Sequence, residues 1–219
     1  MISDITCRPF CIKEKNILFL KRLIKKKNKD IDYHKEPSIK AIIITDLHGT
    51  AYKYSEEELR TIFTNDYDVC FLLGDNYKED VLYLLPYMDL NKTYAIYGNH
   101  DDVPFFPTIP LKNIHGKQIQ IKDKIFVGWE GSFKYKEAAI GMSQEESIEF
   151  EKTLPDRCDY LISHDGLYQP DNDNIPHKGL QGITNYQKRT GCYILRGHLH
   201  DRYENNREHC FYRIETCRI

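Results

Sequence analysis

From residue 41 to the end of the chain, short runs of β-branched and aromatic residues alternate with segments of helical periodicity. This alternation constrains the fold more than any other feature. Ala41 to Thr45 reads as a buried strand, Ser55-Glu56-Glu57-Glu58 as a capping box opening a helix that ends near Phe63, and Val69 to Leu73 as a second strand. A helical stretch from Glu79 to Met88 precedes a third strand at Thr93 to Tyr97. Beyond a Pro-rich passage, Gln118 to Ile121 and Ile125 to Trp129 read as strands and Gln144 to Thr153 as a helix. Asp159 to Ser163 and Cys192 to Arg196 read as strands flanking a loop and a helix, and Phe211 to Thr216 as the last strand. Strands alternating with helices predict an α/β layered fold, with the later hairpin-like strands in a second or mixed sheet.

At 219 residues, 41% of them hydrophobic, the chain has the apolar content to bury a core, which excludes a disordered protein. Its longest apolar runs, such as Ile17 to Leu20 and Ala41 to Ile44, fall far short of the roughly 18 to 20 residues that cross a bilayer, so no membrane span is expected. The first residues lack the apolar core of a signal peptide. Seven cysteines, an odd number without framework spacing, point to free thiols in a reducing cytoplasm; Cys7 and Cys11 lack a second close pair to complete a metal site.

Charge is unevenly placed. Residues 1–40 carry 11 basic and 5 acidic side chains, whereas the remainder holds 20 and 28. The expected organisation is a basic N-terminal extension, residues 1–40, ahead of one domain, residues 41–219. Ile17, Leu20, Leu23 and Ile24 at helical spacing, followed by three lysines, predict a docked amphipathic helix in the extension.

The residues that carry chemistry stand directly after the strands. Asp46-Leu47-His48 comes after the first, Gly74-Asp75 after the second, Gly98-Asn99-His100-Asp101 after the third, His164-Asp165-Gly166 after the strand at Asp159 to Ser163 and Gly197-His198-Leu199-His200 after the strand at Cys192 to Arg196. Metal-binding residue types thus recur at the C-terminal ends of strands, where open α/β sheets place their sites. In an extended segment residues i and i+2 face one side, so Asp46 with His48, and His198 with His200, are expected to address one cavity. No core accommodates that many buried polar groups unpaired, whereas coordination to a cation satisfies them.

In this order the blocks resemble the calcineurin-like metallophosphoesterase superfamily, with its D-x-H, G-D, G-N-H-[DE], H and G-H-x-H series; all five stand between residues 46 and 200. The resemblance implies a two-sheet β-sandwich flanked by α-helices in four layers. It implies two divalent transition-metal ions, Mn²⁺ foremost with Fe or Zn²⁺ as alternatives. Carried over by position, Asp46, His48 and His200 hold one ion, Asn99, His164 and His198 the other, and Asp75 bridges them. A water between the ions, acidified to hydroxide, then attacks phosphorus in line. His100 corresponds to the histidine that protonates the leaving oxygen or steadies developing charge, with Asp101 the candidate to orient it.

Departures from the family narrow the substrate. Protein Ser/Thr phosphatases extend the second block to G-D-x-V-D-R-G, but here Lys78 and Glu79 stand at the Asp and Arg positions, which disfavours that activity. Gly128-Trp129-Glu130-Gly131-Ser132 and His177-Lys178-Gly179-Leu180 resemble stretches of compact bacterial and phage members; a place bordering the substrate cleft is one reading for each, and a core position for Trp129 and a surface loop for His177 are the commoner ones. The leading function is a phosphodiesterase or phosphatase acting on a small molecule or nucleotide. The alternative is a nuclease or end-processing enzyme that uses the basic segment on nucleic acid. A non-catalytic scaffold of this superfamily has lost metal ligands, and none is missing here.

Overall fold

The structure, a computed structural model, describes residues 38–64, 66–101, 108–137, 140–205 and 207–219. Residues Ile39–Ile219 form one compact unit. The helix expected in residues 1–40, with Cys7 and Cys11, lies outside the described residues.

Thirteen strands are described. The first sheet runs in the order β13 (Arg213–Arg218), β1 (Lys40–Thr45), β2 (Val69–Leu72), β3 (Thr93–Ala95), β4 (Lys112–Asn113). β1 to β4 are parallel and β13 closes the edge antiparallel to β1. The second sheet runs β11 (Tyr203–Glu204), β12 (Glu208–Cys210), β10 (Tyr193–Arg196), β9 (Tyr160–Ser163), β6 (Lys124–Trp129), β5 (Gln118–Ile121), and β12, β10, β9 and β6 are mutually parallel. β7 (Ser132–Phe133) and β8 (Gly141–Met142) make a separate ribbon.

Side-chain alternation produces the layers. Ala41 and Ile43 of β1 and Val69 and Phe71 of β2 point between the sheets, where they meet Phe126, Ile162 and Leu195 of the second sheet. Ile42, Ile44, Cys70 and Leu72 point outward onto Leu59 of α1 (Glu56–Ile62) and Val81 and Leu84 of α2 (Lys78–Leu84). On the far side Val127, Trp129, Leu161 and Ile194 pack against Ile183 and Tyr186 of α4 (Gln181–Thr190), with Phe150 of α3 (Gln144–Glu151) beside them. The result is helix, sheet, sheet, helix. Strands buried on both faces explain why their sequences are continuous apolar runs.

Several boundaries differ from the sequence expectations. The second helix starts at Lys78 and tightens at Leu84 into a 3-10 turn, Leu85–Tyr87, because Pro86 cannot donate to the helical ladder. The last strand begins at Arg213, and Phe211 is buried between the sheets instead. Trp129 is fully buried in the core and borders no cleft. Cys70, Cys158, Cys192 and Cys210 are buried free thiols and Cys217 is half-buried. Among the described residues, no helix is long and apolar enough to cross a membrane.

Candidate metal centre

Within each sheet the parallel strands end on the same side, and the five blocks sit at those ends. The loop after β1 bonds to the loop after β2 through Asp46 N–H to the Gly74 carbonyl (3.1 Å) and His48 N–H to the Asp75 carbonyl (3.2 Å). Asp75 Oδ1 accepts from the His100 N–H at 2.8 Å, tying in the loop after β3. Asp46 Oδ2 accepts from the His198 N–H at 2.9 Å and so reaches the loop after β10.

These contacts assemble two groups. Asp46, His48 and His200 place ligand atoms within 4.8 Å of one another, and so do Asp75, His164 and His198. Asp75 Oδ2 lies 3.6 Å from His48 Nε2 and 3.4 Å from His164 Nε2, between the groups. Asn99 joins the second group with Oδ1 3.1 Å from His164 Nε2.

Two further observations fit cations at these groups. Asp46 Oδ1 is buried with no hydrogen-bond partner, an orphaned acceptor 3.4 Å from His200 Nε2. His164 Nδ1–H donates to the Leu73 carbonyl and His198 Nε2–H to the Pro176 carbonyl, each at 2.8 Å. A carbonyl only accepts, so Nδ1 of His164 and Nε2 of His198 each carry a proton, and the other nitrogen of each ring is the one that can turn a lone pair to a ligand once it is deprotonated.

The backbone is strained where these groups stand. Asp46, His48, Asp75, His198 and His200 all have φ between 45 and 76°, the left-handed region that non-glycine residues rarely adopt. The expectation of an extended segment presenting residues i and i+2 is therefore corrected: the pairs converge through left-handed turns.

Charge accumulates accordingly. Burial is the largest influence on His164 and works to lower its imidazole, yet the charges of Asp75 and Asp46 and the contact with Asp75 carry it up to about 10. Burial likewise works to raise Asp75, but His164 and the His100 N–H hold its carboxyl far below the usual carboxylate range. His198, with a weaker anionic environment, is pushed by burial down to about 4.

Asp101, expected as a catalytic residue, occupies a different role. Its buried carboxylate accepts from the backbone N–H groups of Gly98 (2.7 Å), Asn76 (2.8 Å) and Asp75 (2.9 Å), so it staples the loops after β2 and β3 and does not orient the His100 ring. Burial and then the charge of Asp75 push it up to about 7. The sequence reading missed Asp80, a buried carboxylate that accepts from the N–H groups of Gly49 (2.7 Å), Ala51 (2.8 Å) and Tyr77 (3.1 Å) and so ties the His48 turn to the start of α2. It also missed Tyr135, whose hydroxyl reaches Asn99 and His100 from a loop with no motif of its own. His177 stands at the site, with its ring centroid 4.9 Å from that of His198. Lys78 is exposed at the first turn of α2.

The calcineurin-like phosphoesterase family matches residues 39–202, spanning every block. The chain belongs to this family. It is a metal-dependent hydrolase of phosphoesters, and its helix, sheet, sheet, helix fold is the family's. Similar solved structures include a predicted phosphoesterase from Streptococcus pneumoniae TIGR4, 14% identical with a TM-score of 0.40, covering 80% of this chain and 72% of that one. Vacuolar Protein Sorting 29 from Cryptosporidium parvum is 14% identical with a TM-score of 0.43, covering 81% of this chain and 74% of its own. No curated protein matches the chain.

Proposed function

We propose that this calcineurin-like phosphoesterase hydrolyses a phosphodiester or phosphomonoester of a small molecule or nucleotide with two transition-metal ions. Asp46, His48 and His200 would hold one, Asn99, His164 and His198 the other, and Asp75 would serve both. The observation that carries this reading is the placement of Asp75 Oδ2 between His48 and His164, at 3.6 and 3.4 Å. When bound, two such ions supply a water acidic enough to act as nucleophile near neutral pH and neutralise the phosphoryl oxygens.

The protein's own groups do the rest. Thr45 Oγ1–H and the His198 N–H hold Asp46 Oδ2, which leaves Oδ1 aimed into the site. The Leu73 and Pro176 carbonyls hold the rings of His164 and His198 in single tautomers. His100 is exposed beside Asn99 with its N–H anchored to Asp75, and its imidazole would meet the substrate and donate a proton to the departing oxygen.

A panel of phosphomonoesters, phosphodiesters, cyclic nucleotides and oligonucleotides on Mn²⁺-reconstituted protein tests the reading. His100→Asn should retain its metals, lose roughly a hundredfold on an alkyl phosphate ester, and lose clearly less on a p-nitrophenyl ester, whose leaving group needs no proton. Equal losses on both would make His100 an electrostatic clamp instead. Asp75→Asn should lower the content of both metals together.

A further inference from the structure

Tyr135 follows β7 in the segment leading to β8, and its hydroxyl lies 3.3 Å from Asn99 Nδ2 and 3.4 Å from His100 Nε2. The segment is anchored to the site from both sheets. Gly131 N–H donates to the Tyr97 carbonyl at 2.8 Å, and Phe133 N–H donates to the Asp165 carboxylate at 3.0 Å. Lys134 N–H bonds the Met142 carbonyl at 2.9 Å, and Lys136 Nζ lies 5.2 Å over the Tyr135 ring.

The two neighbours make different demands. An amide nitrogen only donates, so the phenol oxygen accepts from Asn99. With Nδ2 bonded to the phenol, the amide presents Oδ1 to His164 Nε2 at 3.1 Å. The phenol retains a lone pair and its O–H, enough to bond the His100 ring in either tautomer. Among the described residues Tyr135 is the one side chain hydrogen-bonded to that ring, because the Asp101 carboxylate is taken up by three backbone N–H groups.

We propose that Tyr135 is a positioning residue for phosphoester hydrolysis: its hydroxyl aims the Asn99 carbonyl oxygen into the metal centre and holds the His100 imidazole where the phosphoryl group reacts. The proposal rests on the phosphoester hydrolysis proposed for this site. Tyr135 acts through Asn99 and His100, so with both metals saturating its effect on kcat should vanish where His100 is gone, while its effect on metal affinity through Asn99 should remain.

The test is Tyr135→Phe, which keeps the ring and removes the hydroxyl, made in the full chain and again in the His100→Asn background. Tyr135→Met, also lacking the hydroxyl, serves if the Phe variant folds poorly. Co²⁺ titration followed by visible absorbance reads the Asn99 arm, and kcat and KM on a nitrophenyl and an alkyl ester read the His100 arm. Expected are a kcat lower by about tenfold on the alkyl ester with KM within about twofold, less than about twofold further loss in the His100→Asn background, and a several-fold weaker second Co²⁺. An equal kcat loss in both backgrounds, a raised KM with unchanged kcat, or no change in either kinetics or Co²⁺ affinity overturns the proposal. If the unaltered protein hydrolyses no phosphoester at all, the functional reading fails by itself, and the Co²⁺ titration still decides whether Tyr135 orients Asn99.

Discussion

Gly98→Ala should disable the metal centre through one methyl group. Gly98 precedes Asn99, and a Cβ at this position would stand 2.5 Å from the Asp75 nitrogen and 2.8 Å from the Asp75 carboxyl carbon, overlapping its Oδ1. Non-bonded carbon atoms settle about 3.5 to 4.0 Å apart, so either the Asp75 carboxylate or the loop carrying Asn99 must shift by about 1 Å. Neither has a flexible end to yield: Asp75 Oδ1 is bonded to the His100 N–H, and the Gly98 N–H to the Asp101 carboxylate. A displacement of about 1 Å at a reacting centre costs about a hundredfold in rate. Gly98→Ala should therefore bind fewer than two metals per chain and hydrolyse a chromogenic phosphoester about a hundredfold more slowly. Gly191→Ala is the control. That glycine caps α4 with φ 73° and has open space where a Cβ would stand, so its alanine variant should cost about 1 to 2 kcal/mol of stability and leave metal content and rate unchanged. Mass spectrometry of metal content, the chromogenic assay and thermal melts of both variants give the comparison. Full metal content with activity within about twofold in Gly98→Ala would refute the packing argument.

Metal uptake should release a proton near neutral pH, because His164, raised to about 10, is protonated in the metal-free protein and its Nε2 must be free to bind. Affinity should then rise about tenfold per pH unit between about pH 7 and 9, and calorimetry in buffers of different ionisation enthalpy would show no net proton release if this is wrong. By the same linkage the chelated protein keeps the stability of the His164 pair below about pH 6.5 and loses it as pH rises towards about 10, which urea melts across that range would reveal. Asp80→Ala strands the N–H groups of Gly49, Ala51 and Tyr77, so it should lower stability by about 1 to 3 kcal/mol and weaken the ion at Asp46, His48 and His200 more than the other. Equal weakening of both ions, or none, would argue against Asp80 as the support of the His48 turn.

The strands and helices that build the sandwich were written locally. Runs such as Ala41 to Ile44 and Val69 to Leu72 are apolar at every position because both faces are buried, and Ser55 with Glu58 forms the capping box its spacing indicates. The residues that converge at the candidate site stand out in the sequence for a related reason: polar metal-binding types directly after an apolar run have no packing purpose. What the sequence could not hold was anything that depends on two loops meeting. Two-residue strands such as β4, β7 and β11 have no period to read and exist because a neighbour pairs with them. Asp46 accepts from a backbone N–H 152 residues away, Asp80 from one 31 residues away, and Tyr135 touches Asn99 across 36. Such contacts carry no local signature, since a carboxylate or phenol of the same sequence context elsewhere would simply face water. The left-handed turns at Asp46, His48, Asp75, His198 and His200 are likewise tertiary decisions, because non-glycine residues adopt that conformation only where the surrounding hydrogen bonds over-determine it.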